Sequence, residues 1–426
     1  MGQGFTGFPE LLAKTLGSRD FMWVCLIEIC IGILVAFYQR CGAVDMFSQK
    51  VKPFTKSRSQ TQFLAWGLGL FIFFSDYFSP LFVGPVMRNL TDKAKISREK
   101  LAYICDSTSA PVCVLAPITG WAVYISGLLI GIGPVLNKKA AMSLFIKAIP
   151  FNFYAILSVV MVAMIAWRVI PEFGPMRRAE RRVIDTGQVI RPGSVPMMSS
   201  ELTNLSVSEK GRTNIWMNFF TPVFIVIAVN LGTFFATGQA RVLDSFMLAT
   251  IVLGVFMFFQ RVDKLNGLMK AMLAGIKGVM PAVLILAFAY AINNVSREMG
   301  TAQYVIDITK GWFIPGLLPV LIFLISAFVS FATGTSWGTF AIIIPIAVPM
   351  AFEFSQGQVS TLVLGTLAAV AGGGVFGDHC SPLSDTTVLS SLGSACDHMD
   401  HVKTQLPYAL VVASIASVIY LVVGIF

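Results

Sequence analysis

The stretch Val370-Ala371-Gly372-Gly373-Gly374-Val375-Phe376-Gly377-Asp378-His379-Cys380-Ser381-Pro382 decides how the chain is read. It opens as a glycine-rich apolar run and ends on an acid, a histidine and a proline. It lies within a longer apolar stretch, 359–393, long enough to cross a bilayer core of about 30 Å. Backbone that leaves the helix at membrane depth survives only where protein or a watery cavity satisfies its N–H and C=O groups. The break at 378–382 therefore predicts a buried polar centre.

The composition agrees with a membrane setting. The 426 residues are 56 % hydrophobic and 12 % charged, with a net charge of +9 and a mean hydropathy of +0.76. This excludes a disordered chain, a secreted disulfide scaffold and an ordinary soluble enzyme. An all-α polytopic membrane protein remains. Its basic excess follows from Lys and Arg collecting in cytoplasmic loops, so no nucleic acid is implied. The seven Cys show no CxxC spacing and read as small apolar packing residues.

Uninterrupted spans are predicted at 20–38, 142–168, 215–236, 241–260, 278–295 and 405–426. The stretch 100–136 is interrupted by Asp106-Ser107-Thr108-Ser109-Ala110-Pro111. Two more, 61–88 and 314–353, are broken by Ser75-Asp76 and by Thr333-Gly334-Thr335-Ser336. With both read as hairpins that enter and turn back, and residue 1 outside, segments 40–60, 88–100, 168–213, 261–277 and 397–403 share the cytoplasmic face. These hold 5, 5, 8, 4 and 1 of the Lys and Arg, 23 of 31, as the positive-inside rule asks of an inner-membrane protein. The polar segment 171–213 reads as a solvated linker between two membrane halves.

The halves repeat. At an offset of 260, Ser75, Tyr77, Ser79 and Pro85 meet Thr335, Trp337, Thr339 and Pro345. At an offset of 272, Asp106-Ser107-Thr108-Ser109 meets Asp378-His379-Cys380-Ser381. Each half runs span, broken hairpin, broken span, span, and the charge topology inverts one half against the other. The expected organisation is a first repeat at 1–170, the linker at 171–213, and a second repeat at 214–426 preceded by two extra spans. Residues 4–17 match the amphipathic stretch 263–277 in position, so the first repeat is expected without its opening pair of spans, either because the fold is asymmetric or because an N-terminal segment is missing.

Five acids fall in the interiors of apolar stretches, Glu28, Asp76, Asp106, Asp378 and Asp385, while the Lys and Arg of those stretches stand at or near their ends. Each acid costs about 2.5–3.5 kcal/mol to insert, so function is the default reading. Without basic partners they bind cations or hold protons, and that competition is itself a means of exchange. Asp106 and Asp378 are the leading candidates, with N-capping of a half-helix as the structural alternative. Asp385 competes with a cap role for the helix after it. Asp76 stands at a hairpin tip beside Ser75. Glu28 has no break around it, and a core hydrogen bond suits it as well as transport. Ser75, Ser107, Thr108, Thr335, Ser336 and Ser381 offer hydroxyl oxygens to a small hard cation, or to their own helix backbone. His379 is a candidate pH sensor. The run Cys396-Asp397-His398-Met399-Asp400-His401 has the letters of a metal site but is expected in a loop with few partners. No GxxxxGK[ST] motif and no nucleophile–base pair is present, so neither an ATP-driven pump nor an enzyme is expected, and no cofactor.

The segments Gly334-Thr335-Ser336-Trp337-Gly338-Thr339-Phe340, Gly377 to Thr387, and Ile96 to Pro111 resemble the signatures of the NhaC family of Na⁺/H⁺ antiporters, part of the ion transporter superfamily. The resemblance covers residue 20 to the end. It implies a scaffold and a mobile domain with two hairpins, a homodimer and an elevator-like movement, with Na⁺ and H⁺ as transported partners. Relatives exchange malate for lactate, and some are assigned to amino acids, so a small organic carboxylate or an amino acid is the alternative substrate. The unmatched opening spans leave an inactive fragment as the third reading.

Overall fold

The computed structural model describes residues 4–198, 205–208, 211–237, 240–300, 304, 307 and 314–425. Among these, eight helices are long and apolar enough to cross a bilayer, or ten if two bent pairs each count as one span. No strand accompanies them beyond an isolated bridge between Pro196 and Asp397. In chain order the helices are α1 (Gly4–Leu16), α2 (Arg19–Arg40), α3 (Ala43–Val51), α4 (Arg58–Phe71), α5 (Phe78–Lys93), α6 (Arg98–Ser107), α7 (Ala110–Leu115), α8 (Gly120–Leu129), α9 (Lys138–Ala148), α10 (Phe153–Ala166) and α11 (Gly174–Thr186). They continue as α12 (Thr221–Thr237), α13 (Val242–Phe259), α14 (Leu265–Glu298), α15 (Leu318–Thr333), α16 (Ser336–Phe354), α17 (Thr361–Cys380), α18 (Asp385–Ser394) and α19 (His398–Ile425).

Close contacts fix the helix directions. A Cβ placed at Gly373 would stand 2.3 Å from the Phe323 carbonyl oxygen, and one at Gly377 2.3 Å from that of Ala327. Four residues along α17 match four along α15, so the two run parallel, and α16 must return between them. The chain thus turns back at 334–336. There Gly334, at a φ of 70°, lies against the Leu383 carbonyl, and any side chain would be excluded twice over. The first half makes the same turn. Gly69 of α4 faces Thr108 at the end of α6, while Arg58 and the Ser97 amide share the Glu180 carboxylate at their starts. Helix α5 returns, with Ser79 near the Thr108 carbonyl (3.4 Å) and Asp92 on Arg98 (2.6 Å).

The broken helices of the two halves lie side by side. Tyr77 meets Asp385, and Gly84 packs on Gly393, so α18 runs with α5 and against α6. At the far end of α18 the Arg98 guanidinium donates to the Ser394 carbonyl. Helices α2 and α14 also run antiparallel, through Gly32 on Gly275 and Phe21 on Tyr290. Small residues at these crossings let backbones meet where lipid offers no hydrophobic drive.

The basic segments read onto one face are joined there by ion pairs. Arg40 binds Asp263 (2.6 Å), Lys100 binds Glu172 (2.6 Å), Arg182 binds Glu99 (2.9 Å), Arg191 binds Asp400 (2.9 Å), and Arg58 binds Glu180.

Four expectations change. The amphipathic stretch, from Leu265 on, and the span 278–295 form the single helix α14, because the amphipathic half packs on α2. The predicted span 142–168 is bent by 48° between α9 and α10, at Asn152, which caps α10. Residues 398–403 open α19 instead of forming a loop. The segment 171–213 is not solvated throughout: α11 buries Met176, Glu180 and Val183, and Met197 bonds the Cys396 carbonyl. Residues 199–204, 209 and 210 of that segment lie outside the described set.

Candidate functional site

The two breaks bring Asp106 and Asp378 to one buried centre. Both are nearly sealed, at 1 % and 2 % exposure. Neither caps a helix N-terminus. Asp106 lies in the last turn of α6 and Asp378 in the last turn of α17, because each acid precedes its break. A helix C-terminus carries about half a negative charge, so a carboxylate there is doubly in need of a positive partner.

Their partners are few. Asp106 Oδ2 accepts from Gln405 Nε2 at 2.7 Å and lies 3.2 Å from His401 Nε2. Asp378 Oδ2 accepts from the Ser336 hydroxyl at 3.2 Å. The other oxygen of each, Oδ1, is buried without a hydrogen-bond partner. The charges of Asp76, Asp106 and Asp385 all act on Asp378. His379 ties the centre together, its ring nitrogens on the Ser107 hydroxyl (3.0 Å) and the Tyr154 hydroxyl (2.8 Å).

The remaining candidates divide by what their oxygens already do. Ser75 and Thr335, matched at the offset of 260, each accept the amide three residues on, from Phe78 and Gly338. Both are turn caps. Thr108 spends its hydroxyl on the Ile104 and Cys105 carbonyls of its own helix. Ser381 binds the Phe331 carbonyl at 2.8 Å and ties α15 to the break. Asp385 is not the cap of α18; Ser384 is. One Asp385 oxygen takes the Tyr77 hydroxyl at 2.6 Å, and the other takes the Thr386 amide, so it latches the first hairpin tip to the second break. Asp76 is buried at that tip. Glu28 is fully buried, and neither of its oxygens has a hydrogen-bond partner, so the expected core hydrogen bond is not made.

Sequence reasoning missed Gln405 and read His401 only within the run 396–401, not as a neighbour of Asp106. The signal that pairs them is an i, i+4 spacing of polar residues opening the last span. The run 396–401 does not converge on a metal: His398 bonds Ser391 and the Pro382 carbonyl, Asp400 pairs with Arg191, and His401 turns to Asp106. Among the described residues no group of three metal-ligating side chains forms. Above the tips a cavity of about 670 Å³ is lined by Trp23, Tyr77, Tyr290, Trp337 and Asp385, among others.

This arrangement of apolar spanning helices around buried acids defines an integral, multi-pass membrane protein. Residues 112–425 match the Na⁺/H⁺ antiporter family, and the chain belongs to that family. It is similar to an uncharacterized protein of Haemophilus influenzae, 34 % identical over 95 % of this chain and 78 % of that one. An uncharacterized Na⁺/H⁺ antiporter of the same organism is 26 % identical over 52 % of this chain and 46 % of its own. The malate-2H⁺/Na⁺-lactate antiporter of Bacillus subtilis is 30 % identical over 47 % of this chain and 41 % of its own.

Proposed function

We propose that the protein is a secondary active Na⁺/H⁺ antiporter in which Asp106 and Asp378 hold cation and proton in turn. One observation carries the reading: two buried carboxylate oxygens, Asp106 Oδ1 and Asp378 Oδ1, lack any partner, each at the carbonyl end of its helix. Such a centre needs positive charge, and among the described residues no Lys or Arg bonds either acid. A small cation or a proton meets that need, and each excludes the other. The Ser336 and Ser107 hydroxyls and the carbonyl ends of α6 and α17 complete the shell. Asp385, occupied by Tyr77, is assigned to the latch between hairpin tip and break and not to the cation.

Residues 1–170 and 214–426 act in this reading as inverted repeats joined by 171–213. The antiparallel run of α6 against α18, and of α2 against α14, supports it. Exchange of access would come from an elevator-like movement of the hairpins and broken helices within a homodimer. A second reading, exchange of a small organic carboxylate or amino acid, draws on the cavity above the tips, which is far larger than a bare ion requires.

The test uses purified protein in sealed liposomes with an internal pH dye. Proton movement on adding Na⁺ or Li⁺ alone, lost in Asp378→Asn while membrane insertion is kept, is the expected result. Movement only with malate, lactate or an amino acid would transfer the assignment to metabolite exchange. Retained cation exchange in Asp378→Asn would remove that residue from the centre.

A further inference from the structure

Glu28 is used by none of the steps above, yet among the described acids it alone is buried with both carboxyl oxygens unpartnered. It is 0 % exposed. Its surroundings follow from the register of α2. Gly32 against Gly275 and Val279, with Phe21 against Tyr290, sets Val279, Ala282 and Val283 of α14 opposite Glu28. Thr250 on the Cys30 carbonyl and Gly254 on Phe37 bring Ala249 of α13 to the same level. All four facing residues are apolar and buried. The titratable groups that act with it are Asp385, from α18, and Cys25 on its own helix.

A carboxylate in such walls, with no protein donor on either oxygen, is far costlier than the neutral acid. In this state Glu28 therefore carries a proton. It also has a route along which to give it up. Trp23 and Val24 of α2 line the cavity together with Asp385, and Glu28 follows Val24 by one helical turn on the same face. The cavity admits water to Asp385 and to within a turn of Glu28.

We propose that Glu28 is a second proton-carrying residue of the exchange, handing its proton to Asp385 across the inner end of the cavity. The proposal rests on the Na⁺/H⁺ reading. In the transfer the Glu28 O–H bond breaks and an O–H bond forms on the Asp385 carboxylate, relayed by water of the cavity that both flank. Asp385 becomes neutral and loosens from Tyr77, and Glu28 is left charged until a proton returns. The acid on α2 would thereby couple proton movement to the latch between the first hairpin tip and the second break.

Two measurements on the full chain test it. In liposomes, Glu28→Gln should lower Na⁺-driven proton movement at least about tenfold, the scale of a lost proton-transfer group. It should leave Na⁺/Na⁺ exchange within about twofold, as for a change away from the cation shell, and Glu28→Asp should restore part of the loss. Wild-type proton coupling in Glu28→Gln, or equal loss of both exchanges in folded protein, would overturn the idea. The second measurement needs no variant. A hydrophobic carbodiimide, which attacks protonated carboxyls in apolar sites, should modify Glu28 in the wild-type protein, less so as pH rises, as read by peptide mass spectrometry. No adduct at any pH would also overturn it. Wild-type vesicles that exchange no Na⁺ would sink the antiport reading instead, while the labelling still decides whether Glu28 holds a proton.

Discussion

Gln405 does for Asp106 what no neighbour in sequence does. Its amide reaches Asp106 Oδ2 at 2.7 Å and also donates to the His379 carbonyl, so one side chain of α19 bridges both broken helices. A hydrogen bond to a charged group contributes about 1.5–3 kcal/mol, and each 1.4 kcal/mol is tenfold. Gln405→Leu should therefore weaken apparent Na⁺ affinity by at least about tenfold while the protein still inserts. Thr108→Val is the matched control, because its hydroxyl serves only carbonyls of its own helix, and transport should stay within about twofold. A titration of rate against Na⁺ separates the two. Equal affinities in Gln405→Leu and wild type would make Gln405 a packing residue. At this scale the sequence names the acids but not their company. His401 and Gln405 stand 295 and 299 residues from Asp106, and no local pattern reports so distant a partner.

The hairpins were legible as elements because a helix-breaking polar or glycine step inside an apolar run has few physical outcomes. Ser75 and Thr335, paired at the offset of 260, each accept the amide three residues on. What the pattern could not carry was the polarity of the breaks. An acid beside a break reads as an N-cap, yet Asp106 and Asp378 precede their breaks and end helices. Nor could it carry the continuity of α14, whose amphipathic first half is held by Gly275 against Gly32. The glycines along α17 give the element-scale prediction. A side chain at Gly377 would meet the Ala327 carbonyl at 2.3 Å and the Phe331 amide at 2.6 Å, both backbone atoms that cannot step aside. Gly377→Val should force α15 off α17 and cost about 1–3 kcal/mol or more, pulling Ser336 from Asp378 as it does so. Thermal unfolding in detergent should move down by several degrees and Na⁺ affinity should fall with it. Gly67 has nothing within 4 Å, so Gly67→Ala should leave Tm unchanged or slightly raised, since Ala favours a helix by about 0.5–1 kcal/mol. A Gly377→Val protein as stable as Gly67→Ala would show that α15 and α17 are not in backbone contact.

At the scale of the whole molecule, charge sorts the chain into faces. The ion pairs at Arg40, Arg58, Lys100, Arg182 and Arg191 link segments far apart in sequence at one end of the bundle. The ends of α8 and α16 lie at the other, because α6 and α17 enter the centre from opposite faces. The positive-inside rule predicts that the ion-paired face is cytoplasmic. Single cysteines test both statements at once. Lys56 and Gln188 are exposed on the ion-paired face, and Leu136 and Gln358 on the opposite one. The native background should be low at the ion-paired face. Cys41 and Cys396 are buried there, and burial pushes the Cys41 thiol up to about 12 and holds Cys396 well above the usual thiol range. Their reactive thiolate is thus scarce at neutral pH and grows only as the medium becomes strongly alkaline. With a membrane-impermeant maleimide at neutral pH, Leu136→Cys and Gln358→Cys should react in intact spheroplasts. Lys56→Cys and Gln188→Cys should react only in inside-out vesicles. Exchange of the two sides would reverse the orientation but keep the sorting. Labelling of Gln188→Cys and Gln358→Cys from the same side would mean that the broken helices do not enter from opposite faces, and the inverted arrangement of the halves would fall with it.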